Sequence, residues 1–167
     1  MSNLQSVRGT QDFLLEDALS FYKIIEEIRA IGLNYCYKDL FLPIMEHTEV
    51  FLRTLGSYSD IVNKEMYTFD DKKGRSLTLR PEFTASVVRS LLCSGLVHNL
   101  PQKLFSFGPL FRYEKPQKGR YRQFHQVNFE YIGVDQNYAD AEVIELAQQI
   151  LKHFGLKNIE LNINTLG

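Results

Sequence analysis

The sequence predicts an α+β fold, with a mainly antiparallel sheet and flanking helices. Amphipathic helical stretches are separated by pairs of short alternating runs, so the strands are expected to be joined by hairpins and not by helical crossovers. Two of those pairs close over turn-forming residues, "DDKKG" and a polar loop holding Pro116 and Gly119. The bulk composition agrees: 167 residues, 44% hydrophobic and 23% charged, suffice for one domain with a sizeable core.

In chain order, "EDALSFYKIIEEIRAIGLNYCY" places Phe21, Ile25, Ile28, Gly32 and Tyr35 on one helical face, with Lys23, Glu26, Glu27 and Arg29 mostly elsewhere. "DLFLPIME" is a short apolar run; Pro43 cannot donate to a ladder, so this strand is expected at an edge or to end there. "MYTF" and "SLTLR" flank "DDKKG" as a hairpin. "RPEFTASVVRSLLCSGL" reads as a helix with Pro81 near its start and Gly95 near its end. A second strand pair follows over "KLFSFGPLF" and "VNFEYIG". Asp140 is the expected N-cap of "AEVIELAQQILKHF", and Gly155 its C-terminal stop. The alternation in "IELNIN" predicts a last half-buried strand.

A formal net charge of −1 excludes a generally basic nucleic-acid coat, so contact with a polyanion has to be local. The start "MSNLQSVRGTQDFL" has no basic stretch followed by an apolar core, and no apolar run is long enough to span a bilayer. Cys36 and Cys93 form no CxxC pair and fall in apolar helical patterns, which reads as two reduced, buried thiols in a cytoplasmic protein. His47, His98, His125 and His153 show no ligand-like spacing with Cys or carboxylates, so no protein metal cluster is expected.

The positive charge is concentrated in "GPLFRYEKPQKGRYRQFHQVNFEYIG", where Arg112, Lys115, Lys118, Arg120 and Arg122 crowd together between two apolar strands. By itself such a cluster is more often a solvated hairpin tip than a site. Here Arg112 and Glu114 share one strand parity, as do Phe124, Gln126, Asn128 and Glu130 on the return strand. A face of arginine, carboxylates, amides and an aromatic ring is a poor core and a plausible ligand floor, because guanidinium matches phosphate oxygens bidentately. Glu82 and Thr84 of "TLRPEFTA" stand where a strand hands over to a helix; on spacing alone, capping of the helix start is the preferred reading.

With these phrases in view, the sequence resembles histidyl-tRNA synthetases, which are class II aminoacyl-tRNA synthetases. "LTLRPEFTASVVR", the arginine-rich hairpin, "VRGTQDF", "LPIMEHTEVFLRTLG" and "KEMYTFDDKKG" all look like that family, from about Val7 onward. The resemblance implies that 1–167 is the N-terminal portion of a class II catalytic domain, with motif 1 at about 17–47 and motif 2 at about 104–133. Class II motif 3 and the anticodon-binding domain are expected to be absent, leaving a fragment with little activity alone. The implied reaction is ATP-dependent activation of L-histidine to histidyl-adenylate and transfer to tRNA(His), with Mg2+ carried by ATP and Glu114 as its implied protein contact. The implied partners are histidine, ATP, tRNA(His) and a second copy of the chain through motif 1. Carried over by position, Arg112 resembles the catalytic arginine on the α-phosphate and the histidine carboxylate. Glu114 would meet the adenine amino group, Phe124 stack on the ring, and Arg120 reach the γ-phosphate, so Arg112, Glu114, Arg120 and Phe124 form the implied ATP set. Glu82, Phe83, Thr84, Arg112, Gln126 and Glu130 form the implied histidine set, with Glu130 accepting from the imidazole N–H. Phe83 and Asn128 depart from the small or varied residues of the family pattern, and Phe83 would narrow the pocket. The alternative is a histidine-sensing regulatory subunit of ATP phosphoribosyltransferase, which needs the amino-acid contacts but not the basic hairpin. A synthetase-like domain that binds uncharged tRNA beside a kinase is a more remote alternative.

Overall fold

The computed structural model describes residues 5–56, 59–115 and 117–164; Pro116, expected to shape the hairpin turn, lies outside them. The elements in order are α1 (Glu16–Asn34), β1 (Lys38–Asp39), β2 (Met45–His47), α2 (Thr48–Leu55), a π-helical turn (Ile61–Glu65), β3 (Tyr67–Asp70), β4 (Ser76–Leu79), α3 (Thr84–Ser94), a 3-10 turn (Leu96–Asn99), β5 (Gln102–Phe111), β6 (Gln123–Ile132) and α4 (Asn137–His153). They form two three-stranded sheets, ordered β1-β5-β6 and β2-β4-β3, in which only the short β1–β5 pair is parallel. The fold is α+β with mainly antiparallel sheets, as the hairpin pattern predicts. Among the described residues no helix is long and apolar enough to cross a membrane.

The β5–β6 hairpin is the centre of the molecule, and both its faces are covered. One face carries Phe105, Phe107, Val127 and Phe129, which pack with Ile28 of α1, Tyr37 and Leu146 of α4. The predicted α1 stripe is the face that does this: Ile28 and Gly32 are buried, and Phe21, Ile25 and Tyr35 are half-buried. Gly32 is part of the fit, because a Cβ there would stand 2.6 Å from Cε1 of Phe129. The other face of the hairpin carries Leu104 and Leu110, packed under Phe83, Val87 and Leu91 at α3. Pro109 is tolerated within β5 because β1 pairs only with Leu104 and Phe105, leaving no ladder partner that needs its missing N–H.

Several expectations are corrected. The "DLFLPIME" run is not one strand: pairing is confined to β1 and β2, and Leu42 and Pro43 direct their carbonyls to the Arg80 side chain instead of to a ladder. Asp140 is not an N-cap. The chain enters α4 one turn earlier, with Gln136 as the flanking residue, and Asp140 sits in the first turn, where its charge faces the helix dipole. "IELNIN" forms no strand; no described strand lies beside it, and Leu161 and Ile163 are exposed. Both cysteines are exposed rather than buried. Cys36 occupies the left-handed turn that ends α1 (φ 65°), and Cys93 stands two residues past buried Leu91, about 200° round the helix. The terminal glycines behave as predicted: Gly95 (φ 73°) and Gly155 (φ 76°) stop α3 and α4 in the left-handed region.

Candidate active site

The register of the hairpin sets the floor of the site. Phe124, Gln126, Asn128 and Glu130 of β6 stand opposite Leu110, Gly108, Ser106 and Leu104 of β5, so all eight share the α3 face of the sheet. The parity read for the return strand therefore holds. That for the outgoing strand does not extend as far: β5 ends at Phe111, the Arg112 N–H makes one more rung to the Arg122 carbonyl (3.0 Å), and the Tyr113 N–H turns away to the Glu65 carbonyl (2.7 Å). Glu114 is thus aimed by its loop and not by the pleat.

At the helix end of the floor, a hydroxyl, an amide and a carboxylate converge. The Thr84 hydroxyl donates to Oε1 of Glu130 at 2.7 Å, and the Asn128 amide donates to the same oxygen at 3.3 Å. Glu130 therefore has one oxygen engaged twice, and among the described residues nothing bonds to the other. Glu82 does cap α3, its Oε1 accepting from the Ala85 N–H at 2.8 Å, which leaves Oε2 available. Phe83 is buried, filling the core beneath its two polar neighbours. Gln126 is half-buried on the same floor, one register step from Phe124.

At the other end stands Arg112. Its Nε donates to the Pro81 carbonyl (2.9 Å) and its guanidinium lies 5.4 Å from the centroid of the Phe124 ring, so it is held between the α3 entry turn and β6. Beyond it, Arg120 pairs with Glu114 at 3.2 Å, and Arg122 stacks over Tyr113 at 4.2 Å. The N-terminal segment clasps this loop: the Gly9 carbonyl accepts from the N–H groups of Arg122 (2.7 Å) and Gln123 (3.2 Å). Gly9 has φ 88°, and a Cβ there would meet Cγ of Arg122 at 2.8 Å. Arg8, Tyr113, Glu114, Lys115 and Arg122 line a pocket of about 290 Å³ beside the clasp. A larger cavity, about 700 Å³, is elsewhere, between α2, β4 and α3, and none of the predicted site residues lines it.

Among the described residues no three His, Cys, Asp or Glu side chains gather to hold a metal. His125 points to the opposite face of β6, nested among the rings of Phe13, Phe21 and Phe107, and burial lowers its pKa. Sequence reasoning missed Arg80, which is 2% exposed and bonded to three carbonyls. The Arg122–Tyr113 stack was also missed; an arginine and a tyrosine nine residues apart across a loop leave no periodic signal.

A sequence model of the histidyl-tRNA synthetase family matches residues 9–167. The chain belongs to that family. Relatives include the histidine–tRNA ligases of Wolbachia pipientis subsp. Culex pipiens, 54% identical over 164 residues and 98% of this chain, and of Gluconobacter oxydans, 50% identical over 168 residues and 100% of it. The chain spans 40% of the length of each of these relatives. Among solved structures, the apo histidyl-tRNA synthetase of S. aureus superposes with a TM-score of 0.78 at 40% identity, over 92% of this chain and 35% of that one. A protein of Bacillus halodurans C described as an ATP phosphoribosyltransferase regulatory subunit/histidyl-tRNA synthetase gives 0.79 at 26% identity, over 94% of this chain and 39% of that one. The fold is accordingly that of part of a class II synthetase core.

Proposed function

We propose that this chain is the N-terminal part of the catalytic domain of a histidine–tRNA ligase, carrying motif 1 at about 17–47 and motif 2 at about 104–133. The observation that carries the reading is the sheet face with Thr84 bonded to Glu130 at one end and Arg112 beside Phe124 at the other, Gln126 and the turn that holds Glu82 lying between them. An amino acid with a cationic head and an N–H-bearing ring suits the first end, and a phosphoryl group beside a stacked base suits the second. The basic loop with Arg120 and Glu114 favours a ligase over a histidine sensor, which has no use for triphosphate contacts.

In this reading the histidine α-ammonium is held by the free oxygen of Glu82, by Gln126 and by Thr84. The Thr84 hydroxyl gives its proton to Glu130 and so keeps lone pairs for the ammonium. The unengaged oxygen of Glu130 accepts from the imidazole N–H, and Phe83 closes the pocket from below. Arg112 spans the histidine carboxylate and the α-phosphate of ATP. The carboxylate oxygen attacks the α-phosphorus, the bond to the bridging oxygen breaks, and pyrophosphate leaves. The terminal ribose hydroxyl of tRNA(His) then takes the histidyl group and AMP departs. Both reactants are anions, so the work is alignment, which supplies roughly 7–11 kcal/mol of barrier reduction, and charge stabilisation, to which a fixed donor such as Arg112 adds about 3 kcal/mol. Phe124 stacks on adenine and Glu114 accepts from its amino group. Arg120 reaches the γ-phosphate only after parting from Glu114, so the loop rearranges when ATP enters. Magnesium would come bound to the triphosphate, held mostly by phosphate oxygens, with Glu114 of the basic loop as the carboxylate that would touch it.

A homodimer through motif 1 and a cytoplasmic location complete the proposal. The test is ATP–pyrophosphate exchange by the complete polypeptide that carries this segment. Exchange that depends on L-histidine and is lost in Arg112→Ala supports the reading; exchange indifferent to histidine, or none, refutes it. The 167-residue chain alone should show little exchange, since its relatives are more than twice its length.

A further inference from the structure

Arg80 has no part in the roles above, yet it is the only cation buried among the described residues. Its Nε donates to the Pro109 carbonyl at 3.0 Å, and its Nη1 to the carbonyls of Leu42 (2.9 Å) and Pro43 (3.3 Å). The guanidinium carbon lies 4.5 Å from the centroid of the Phe83 ring. Its main chain ties the same strands: the Arg80 N–H donates to Ile44 (2.9 Å), and its carbonyl accepts from Phe111 (3.0 Å). Among the described residues no carboxylate bonds to it. Glu46, which acts on it through space, is itself paired with Arg89. Room for the guanidinium comes from Gly108, at φ 152°, where any Cβ would collide with Nη2; Gly108 is the register partner of Gln126 on the site floor.

A buried guanidinium satisfied by carbonyls is costly if its only work is to fill space, since an apolar side chain would do that without desolvating a charge. Its placement gives it other work. The residues immediately after it are Pro81, whose carbonyl receives Arg112, then Glu82, Phe83 and Thr84. We propose that Arg80 is a positioning residue for the amino-acid subsite: fixed on the Leu42, Pro43 and Pro109 carbonyls and on the Phe83 ring, it holds the Pro81–Thr84 turn so that Glu82, Thr84 and Arg112 converge on one ligand. The inference rests on the ligase reading and extends it to a residue that touches no substrate.

Lysine keeps the charge but not the planar fork that serves three carbonyls and a ring face together. The complete polypeptide carrying Arg80→Lys is assayed by pyrophosphate exchange, with histidine and ATP varied separately. The expected result is a KM for histidine raised about tenfold or more, with the KM for ATP, which feels the change through Arg112 alone, raised several-fold less. A merely structural role lowers the amount of active protein, so kcat falls while both KM values stay put, and that outcome overturns the proposal, as does full activity. Gly108→Ala, which displaces the guanidinium without altering its charge, should give the same histidine-selective rise and covers the case in which Arg80→Lys fails to fold. Hydrogen exchange gives a readout free of turnover. In Arg80→Lys the Ala85 amide, bonded to Glu82, should lose protection while the β3–β4 ladder keeps it; unchanged protection at Ala85 overturns the proposal. If the parent protein shows no histidine-dependent exchange, the ligase reading fails by itself, and the Ala85 amide still decides what Arg80 positions.

Discussion

Replacing Glu130 by glutamine changes one atom of the floor and should separate histidine recognition from ATP recognition. In the parent, Oε1 accepts from Thr84 at 2.7 Å and from Asn128 at 3.3 Å, so those two donors fix which oxygen faces the ligand. Glutamine can keep its carbonyl oxygen on Thr84 and Asn128, which turns its NH₂ toward the imidazole N–H, donor against donor. The lost interaction is a hydrogen bond to a charged acceptor, about 1.5–3 kcal/mol. At 1.4 kcal/mol per decade this is roughly a 10- to 150-fold loss of histidine affinity. The assay is calorimetric titration of the complete polypeptide with histidine, and separately with ATP, backed by the histidine KM in pyrophosphate exchange. ATP affinity should stay within about twofold, because Glu130 lies three register steps from Phe124 along β6. A histidine affinity changed less than about threefold, below the 1 kcal/mol expected of any buried hydrogen bond, would refute the assignment of Glu130 to the ring. An equal loss for both ligands would refute the separation of the two ends.

Arg112→Lys removes the Nε bond to Pro81 and the fork between carboxylate and phosphate, and should lower the rate of adenylate formation about 10²- to 10³-fold in single-turnover measurements, whereas lysine acting as an adequate point charge would show near-parent rates. Gly32→Ala sets helix propensity, a gain of about 1 kcal/mol, against a Cβ 2.6 Å from the Phe129 ring. Tyr37 and Phe105, both with centroids 5.0 Å from that ring, block its retreat, so overpacking of about 1–3 kcal/mol should win and thermal unfolding should move down by several degrees. His125 has a folded-state pKa held below the ordinary 6.5 by burial, so the unfolded chain takes the proton first. Its contribution to stability is full above pH 6.5 and fades as pH falls through the folded value; the midpoint of thermal unfolding should decline from pH 7 toward pH 5, and His125→Phe should flatten that decline.

What the sequence made legible was decided by periodicity that survives on a covered surface. The α1 stripe was readable because a single apolar face meets a single sheet face, and the two hairpins because turn residues interrupt clean alternation. The failures have equally physical causes. A strand exists through its partner, so alternation in "IELNIN" could not say whether an edge lies beside it. The eight-residue α2 begins at the residue after β2 and is too short for its own period to stand out, and it was not anticipated. Cys36 continues the apolar rhythm of α1 onto the residue at which the chain turns left-handed.

The candidate site was legible in its outer parts and not in its support, and β4 shows why. In "SLTLR" the apolar residues Leu77 and Leu79 mark what looks like the inward face, yet Thr78 and Arg80 are the buried ones. Thr78 is held by hydroxyl contacts to Thr48 and Thr68, each at 3.0 Å, and Arg80 by three carbonyls, so the strand is sealed on its polar side. Binary patterning assigns polar residues outward and therefore inverts such a strand. The clue available in the sequence was the placement of arginine directly before proline at a strand–helix junction already suspected of holding ligand. A charge at that point has to be either solvated or fully bonded. Here it is fully bonded, and the bonds run to the two chain stretches, 42–44 and 109–111, that must be held in register for Arg112 and Glu82 to face the same molecule.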